Sequence, residues 1–155
     1  MDVYLNYPDI LLDMITPTYS NFTTFFYQRI FLRACMRYRY VYCVAPRAFS
    51  KSFVSILAGI LRCIFLPNSK FFICAPGKEQ GAKIATEKIN EILEKFPLLQ
   101  NEILKYNKGK DYVTLIFKNG SVFDVVGALN STRGGRRNGG IIDEVRRTVL
   151  KFCIE

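Results

Sequence analysis

The sequence predicts an α/β fold, a parallel sheet flanked by helices and carrying one antiparallel hairpin. Three observations predict it. Two short uncharged β-rich runs, Tyr40 to Val44 and Phe71 to Ala75, are each followed by a long stretch with helical apolar spacing. Asn119-Gly120 then separates two more β-rich runs, Asp111 to Lys118 and Ser121 to Val126. That dipeptide between alternating residues is a strong hairpin signal, here read as a two-residue type I′ turn.

Each element follows in order. Residues 1–20, with Pro8, Pro17 and scattered apolar groups, predict an arm or short helix lying over the core. A helix follows from about Asn21 to Tyr38. In it Arg29, Arg33 and Arg37 recur every four residues and share one face, either solvated or used against nucleic acid or a neighbouring subunit. Tyr40 to Val44 has no charge, as expected of a central parallel strand buried on both faces. Phe53, Ile56, Leu57, Ile60, Leu61 and Ile64 then repeat at helical spacing, with Val54, Ala58 and Phe65 between them. That helix is apolar nearly all round, hence largely buried, and Pro67-Asn68-Ser69 ends it.

Phe71 to Ala75 is a second buried strand. From Glu79 to Phe96 a helix has a core stripe of Ala82, Ala85, Ile89, Ile92, Leu93 and Phe96, with Lys83–Glu87 and Glu91–Lys95 as i,i+4 ion pairs. After the hairpin, Asn130 to Gly140 is a polar glycine–arginine stretch expected to lack regular structure. Ile141-Ile142 is a short strand that ends in two adjacent acids, Asp143 and Glu144.

Composition bounds the function. The 155 residues are half apolar and 14% aromatic, which excludes disorder and fits a single domain, 1–155. The net charge of +9 fits an anionic partner or simply a basic surface. Five cysteines with no C-x-x-C spacing read as small buried hydrophobes in a reducing compartment. The lack of histidine excludes His-based triads, so acid–base chemistry falls to carboxylates, Lys or Tyr. No basic N-terminal signal precedes an apolar run, and Phe53 to Leu66 is too short to span a bilayer, so a cytoplasmic protein without a membrane partner is expected.

The stretch from Tyr40 to Ser52 is a strand, a tight loop and Lys-Ser opening a helix. It matches the layout of a phosphate-binding loop in a P-loop NTPase-type sheet. Ala45, Pro46, Arg47, Ala48, Phe49, Ser50, Lys51 and Ser52 form the loop, with Ala45 and Ser50 in place of the two usual glycines. A residue other than glycine at positive φ costs about 1–2 kcal/mol, which weakens such a loop without forbidding it. Ligands of parallel α/β sheets bind outside the carboxyl ends of the strands. If the strands ending at Val44 and Ile142 are neighbours, Lys51, Ser52, Asp143 and Glu144 converge. Lys51 would then neutralise phosphate charge, Ser52 and Asp143 would hold Mg²⁺, and Glu144 would activate the attacking water. Each part also has an ordinary structural reading, since Lys-Ser at a helix start and an apolar-Asp-Glu strand end are both common.

These residues resemble the large, ATP-hydrolysing subunit of phage terminase, the motor that packages viral DNA. The match rests on the arginine inside Ala45 to Ser52, on Phe72 to Pro76 followed by Lys78-Glu79-Gln80, and on Arg133 to Gly140 running into Ile141-Ile142-Asp143-Glu144. It covers about residues 22–148. The resemblance implies ATP and Mg²⁺ as ligands, Tyr27-Gln28 as the adenine contact, and Arg47 at the γ-phosphate or as an arginine finger. It also implies that Arg133 and Arg136 serve ATP in a neighbouring subunit or contact DNA. The implied partners are double-stranded DNA, portal, a small terminase subunit and further copies of the chain, in the host cytoplasm. Terminases continue with further strands and a nuclease domain, so the chain is expected to be the N-terminal part of an ATPase domain with a sheet incomplete at its C-terminus. The alternatives are another helicase-like DNA-translocase ATPase, or a non-hydrolysing basic module that binds DNA or partner subunits through its arginines.

Overall fold

The computed structural model describes residues 2–20, 22–46, 49–75, 78–127, 137–142 and 149–154. The helices are α1 (Asp2–Asn6), α2 (Pro8–Ile15), α3 (Phe26–Arg37), α4 (Lys51–Phe65) and α5 (Lys78–Lys95), with a 3₁₀ turn at Pro97–Glu102. The strands are β1 (Tyr40–Val44), β2 (Lys70–Ala75), β3 (Ile103–Lys108), β4 (Val113–Phe117), β5 (Val122–Gly127), β6 (Gly139–Ile142) and β7 (Val149–Ile154). The strands form one seven-stranded mixed sheet in the order β1-β7-β6-β2-β5-β4-β3. Its centre, β6-β2-β5, is parallel, and the outer pairings are antiparallel.

Helix α4 is the centre of the core. Its residues Phe53 to Cys63 are all buried, as the near-continuous apolar sequence predicts. It packs beside α5, whose Ala82, Ala85, Ile89 and Ile92 are buried on the expected stripe. Both helices cover the sheet face formed by Phe71, Ile73, Leu115, Phe117, Phe123 and Ile141. Glu91 of α5 receives both Lys88 and Lys95, at 2.7 and 2.6 Å. A polar corner fixes the end of α4 to the sheet. Asn119 donates to the carbonyls of Cys63 and Ile64 at 2.7 and 2.9 Å, and Ser121 Oγ donates to Leu66 O at 2.7 Å. The hairpin tip thus satisfies the last carbonyls of the helix, which have no partner within it.

Four expectations are corrected. Strand β1 is an edge strand, not a central parallel one. It pairs antiparallel with β7, and Tyr40, Tyr42 and Val44 are exposed while Val41 and Cys43 face the core. Its uncharged sequence hid this alternation because the outward residues are themselves apolar. The hairpin loop has three residues, not two: Phe117 N–H donates to Ser121 O, and Gly120 has φ 82° while Asn119 does not enter the left-handed region. This is a type I turn followed by a glycine bulge. Gly139-Gly140 belong to β6 rather than to the irregular stretch before it. The missing side chain lets the Phe72 ring of the neighbouring strand lie across Gly140, where a β-carbon would collide with it.

The fourth correction concerns the arginine stripe of α3. Arg29 and Arg33 are held in ion pairs within the chain, while Arg37 is exposed. Arg33 makes a bidentate pair with Asp9 at 2.8 and 2.7 Å, and Arg29 makes one with Asp13 at 2.6 and 2.8 Å. The guanidinium groups of Arg33 and Arg37 both lie over the Tyr7 ring, at 5.0 and 4.7 Å. The expected N-terminal arm is therefore α1 and α2, fastened to α3 through these contacts.

Candidate phosphate-loop site

Strand β1 delivers the chain to Ala45, which is buried, and α4 begins at Lys51. Between them, Ser50 takes φ 51° and ψ 32°, the left-handed conformation. The residue at the glycine position thus adopts the backbone geometry that a glycine there would supply. Serine tolerates it at a cost of about 1 kcal/mol. The Ser50 side chain makes no cap bond to α4, so it leaves the first N–H groups of the helix to other partners.

Lys51 folds back across the loop and donates from Nζ to Ala45 O at 2.9 Å. This contact brings the two ends of the loop together under one cation. Ser55 Oγ donates to Lys51 O at 2.7 Å and steadies the first turn of α4. Ser52 is half-buried in that same turn. Pro46 is exposed, whereas Arg47 and Ala48 lie outside the described residues.

A cavity of about 40 Å³ opens behind the loop, lined by Tyr27, Gln28, Phe31, Cys43, Phe49, Lys51 and Val54. It has room for a few waters and is open to solvent on one side. Phe49 lines it, and its ring centroid stands 3.8 Å from that of Tyr27, which is stacked in turn on Phe25 at 5.7 Å. Gln28 is almost wholly buried, and its Oε1 accepts the N–H of Phe25 at 3.0 Å, capping α3. Burial pushes the Cys43 thiol up, against the opposing pull of Lys51. The Phe49–Tyr27 contact escaped sequence reasoning, whereas Cys43, read as buried with the other cysteines, does pack against the core.

Strands β1 and β6 run in the same direction, but they are not neighbours. Antiparallel β7 lies between them, and Lys151 pairs with both Tyr42 and Ile142. Two strand spacings put β1 and β6 about 10 Å apart. Ile142, the residue before Asp143-Glu144, is thus level with Tyr42 and near the same sheet edge as the loop. Asp143, Glu144, Arg133 and Arg136 lie outside the described residues. Among the described residues, no group of three or more Cys, Asp or Glu gathers as a metal cluster. No described helix is long and apolar enough to cross a membrane. No family model and no curated protein matches this chain.

Proposed function

We propose that the chain binds ATP–Mg²⁺ through the loop from Ala45 to Ser52, as part of a P-loop ATPase of the terminase large-subunit type that drives double-stranded DNA into a procapsid. One observation carries the reading. Ser50 takes the left-handed backbone that the missing glycine would have supplied, at the end of a strand and directly before Lys51. Supporting it, Lys51 Nζ rests on Ala45 O, a backbone acceptor that a phosphate oxygen can replace. Charge-assisted contacts to phosphate exceed a bond to a neutral carbonyl, so the exchange favours the bound state.

In this reading Lys51 holds phosphate charge and Ser52 contributes its hydroxyl to the metal. The helix start adds N–H groups and the positive end of its dipole. Asp143 and Glu144 complete the set as metal ligand and base, with Arg47, Arg133 and Arg136 as cations for the transferred phosphoryl group. Bound ATP–Mg²⁺ supplies the phosphoryl group and the charge that these residues position. In this reading the base lies against the Tyr27–Phe49 ring pair, beside the pocket that these rings line. Titration of a fluorescent ATP analogue with Mg²⁺ tests the assignment. Lys51→Ala is expected to weaken binding about a hundredfold. Glu144→Gln is expected to retain binding and stop hydrolysis. Equal affinities of the wild-type chain and Lys51→Ala would reject the site.

A further inference from the structure

The side of the sheet opposite α4 and α5 carries no described helix. Every strand residue in the hydrophobic core belongs to the covered face. The open face presents Tyr40, Tyr42 and Phe72. Tyr40 and Tyr42 are 61% and 65% exposed and, two residues apart on one strand, stand about 6.6 Å from each other. Phe72 lies across Gly140, and the guanidinium of Arg137 lies over its ring at 4.9 Å. Arg137 Nη1 is buried and has no hydrogen-bond partner. By register, Lys70 and Lys105 share this face with Asp124 as the opposing charge.

We infer that this open face binds single-stranded nucleic acid, with bases stacked on Tyr40, Tyr42 and the Phe72–Arg137 pair. Unpaired bases stack on aromatic rings and on guanidinium planes with little regard to sequence. The spacing of the two tyrosines suits successive bases of an extended strand. The basic excess on the face, Lys70, Lys105 and Arg137 against Asp124, complements a phosphate backbone. Among the described residues this face offers no helix or projecting ribbon to enter a duplex groove, which favours single strands over duplex. The nucleotide-site proposal is not needed for this one, because the loop opens at the strand end and these side chains lie on the sheet face.

Fluorescence anisotropy of a labelled 20-mer of thymidylate, titrated with the full chain at low salt, tests it. Tyr42→Leu and Arg137→Gln are each expected to weaken binding about tenfold, whereas Tyr42→Phe retains it. Tyr19→Ala, at an exposed tyrosine between α2 and α3, is expected to leave it unchanged. Circular dichroism confirms that each variant is folded. A 20-base-pair duplex that competes as well as the single strand would overturn the inference. So would folded Tyr42→Leu and Arg137→Gln variants that bind normally, or light scattering that shows a dimer dissolved by these same two substitutions.

Discussion

Ser50 concentrates the tension between sequence and backbone. Its φ of 51° is the value that glycine reaches without strain, yet the chain places a side chain there. Ser50→Gly is therefore expected to raise unfolding free energy by about 0.5–1 kcal/mol, the relief of strain exceeding the entropy that glycine adds to the unfolded chain. Urea denaturation checks this, and a lower midpoint would show that Ser50 is not strained in solution. At Gly120 the opposite change is costly. Its φ is 82° and an added β-carbon would meet Asn68 Oδ1, so Gly120→Ala is expected to lose about 1–2 kcal/mol. The cysteines divide by depth. Burial pushes the Cys63 thiol up to about 12 and moves Cys35 upward still further. Both are expected to ignore a disulfide reagent at pH 8 until the chain unfolds, as thiol titration with and without denaturant will show.

At the scale of elements, the N-terminal arm depends on charge. Asp9 is fully buried on α2, and the side-chain hydrogen bonds from Arg33 hold its carboxyl below the usual carboxylate range, against the upward push of burial. A depressed carboxyl stabilises the fold at any pH above its unfolded value of 3.8, and that stability is lost as pH falls through the lower folded value. Stability is thus expected to be flat from neutrality down to about pH 5 and to fall below pH 4. Asp9→Asn should reduce stability at pH 7 by about 1–3 kcal/mol and flatten that acid limb. An unchanged acid limb in Asp9→Asn would assign the loss to other carboxylates. The arm itself was legible in the sequence, as were α4, α5, β2 and the hairpin, because each rests on local spacing or turn chemistry. The role of the arginine stripe was not. A repeat every four residues fixes a shared face, but Asp9 and Asp13 reach it only through tertiary packing. Strands β3 and β7 were missed for a similar reason: Ile103 to Lys108 and Val149 to Ile154 lack a clean period and become strands by pairing with β4, β1 and β6. Of the candidate site, the strand–loop–helix order was readable from residues 40–52. The contact of Phe49 with Tyr27 was not, since it joins the loop to α3 across more than twenty residues.

At the scale of the molecule, β7 decides whether the loop has a fixed position. Strand β1 touches the rest of the sheet only through β7, whose residues pair on one side with Tyr40 to Val44 and on the other with Gly139 to Ile142. The loop that begins at Ala45 is therefore anchored at one end by α4 and at the other by a strand held through a single partner. Phe152 occupies the middle of that ladder, opposite Val41 and Ile141. A proline there removes a ladder donor from a strand paired on both edges, where proline is not tolerated. Phe152→Pro is expected to cost on the order of 3 kcal/mol, read as a lowered denaturation midpoint. If Lys51 binds phosphate as proposed, the same variant should also lose ATP affinity under conditions where circular dichroism shows α4 and α5 still folded. Freeing β1 displaces the Ala45 end of the loop while leaving the helix end in place. Retention of both stability and affinity in Phe152→Pro would mean that β1 keeps its place without β7. The loop would then owe its position to α3 and α4 alone.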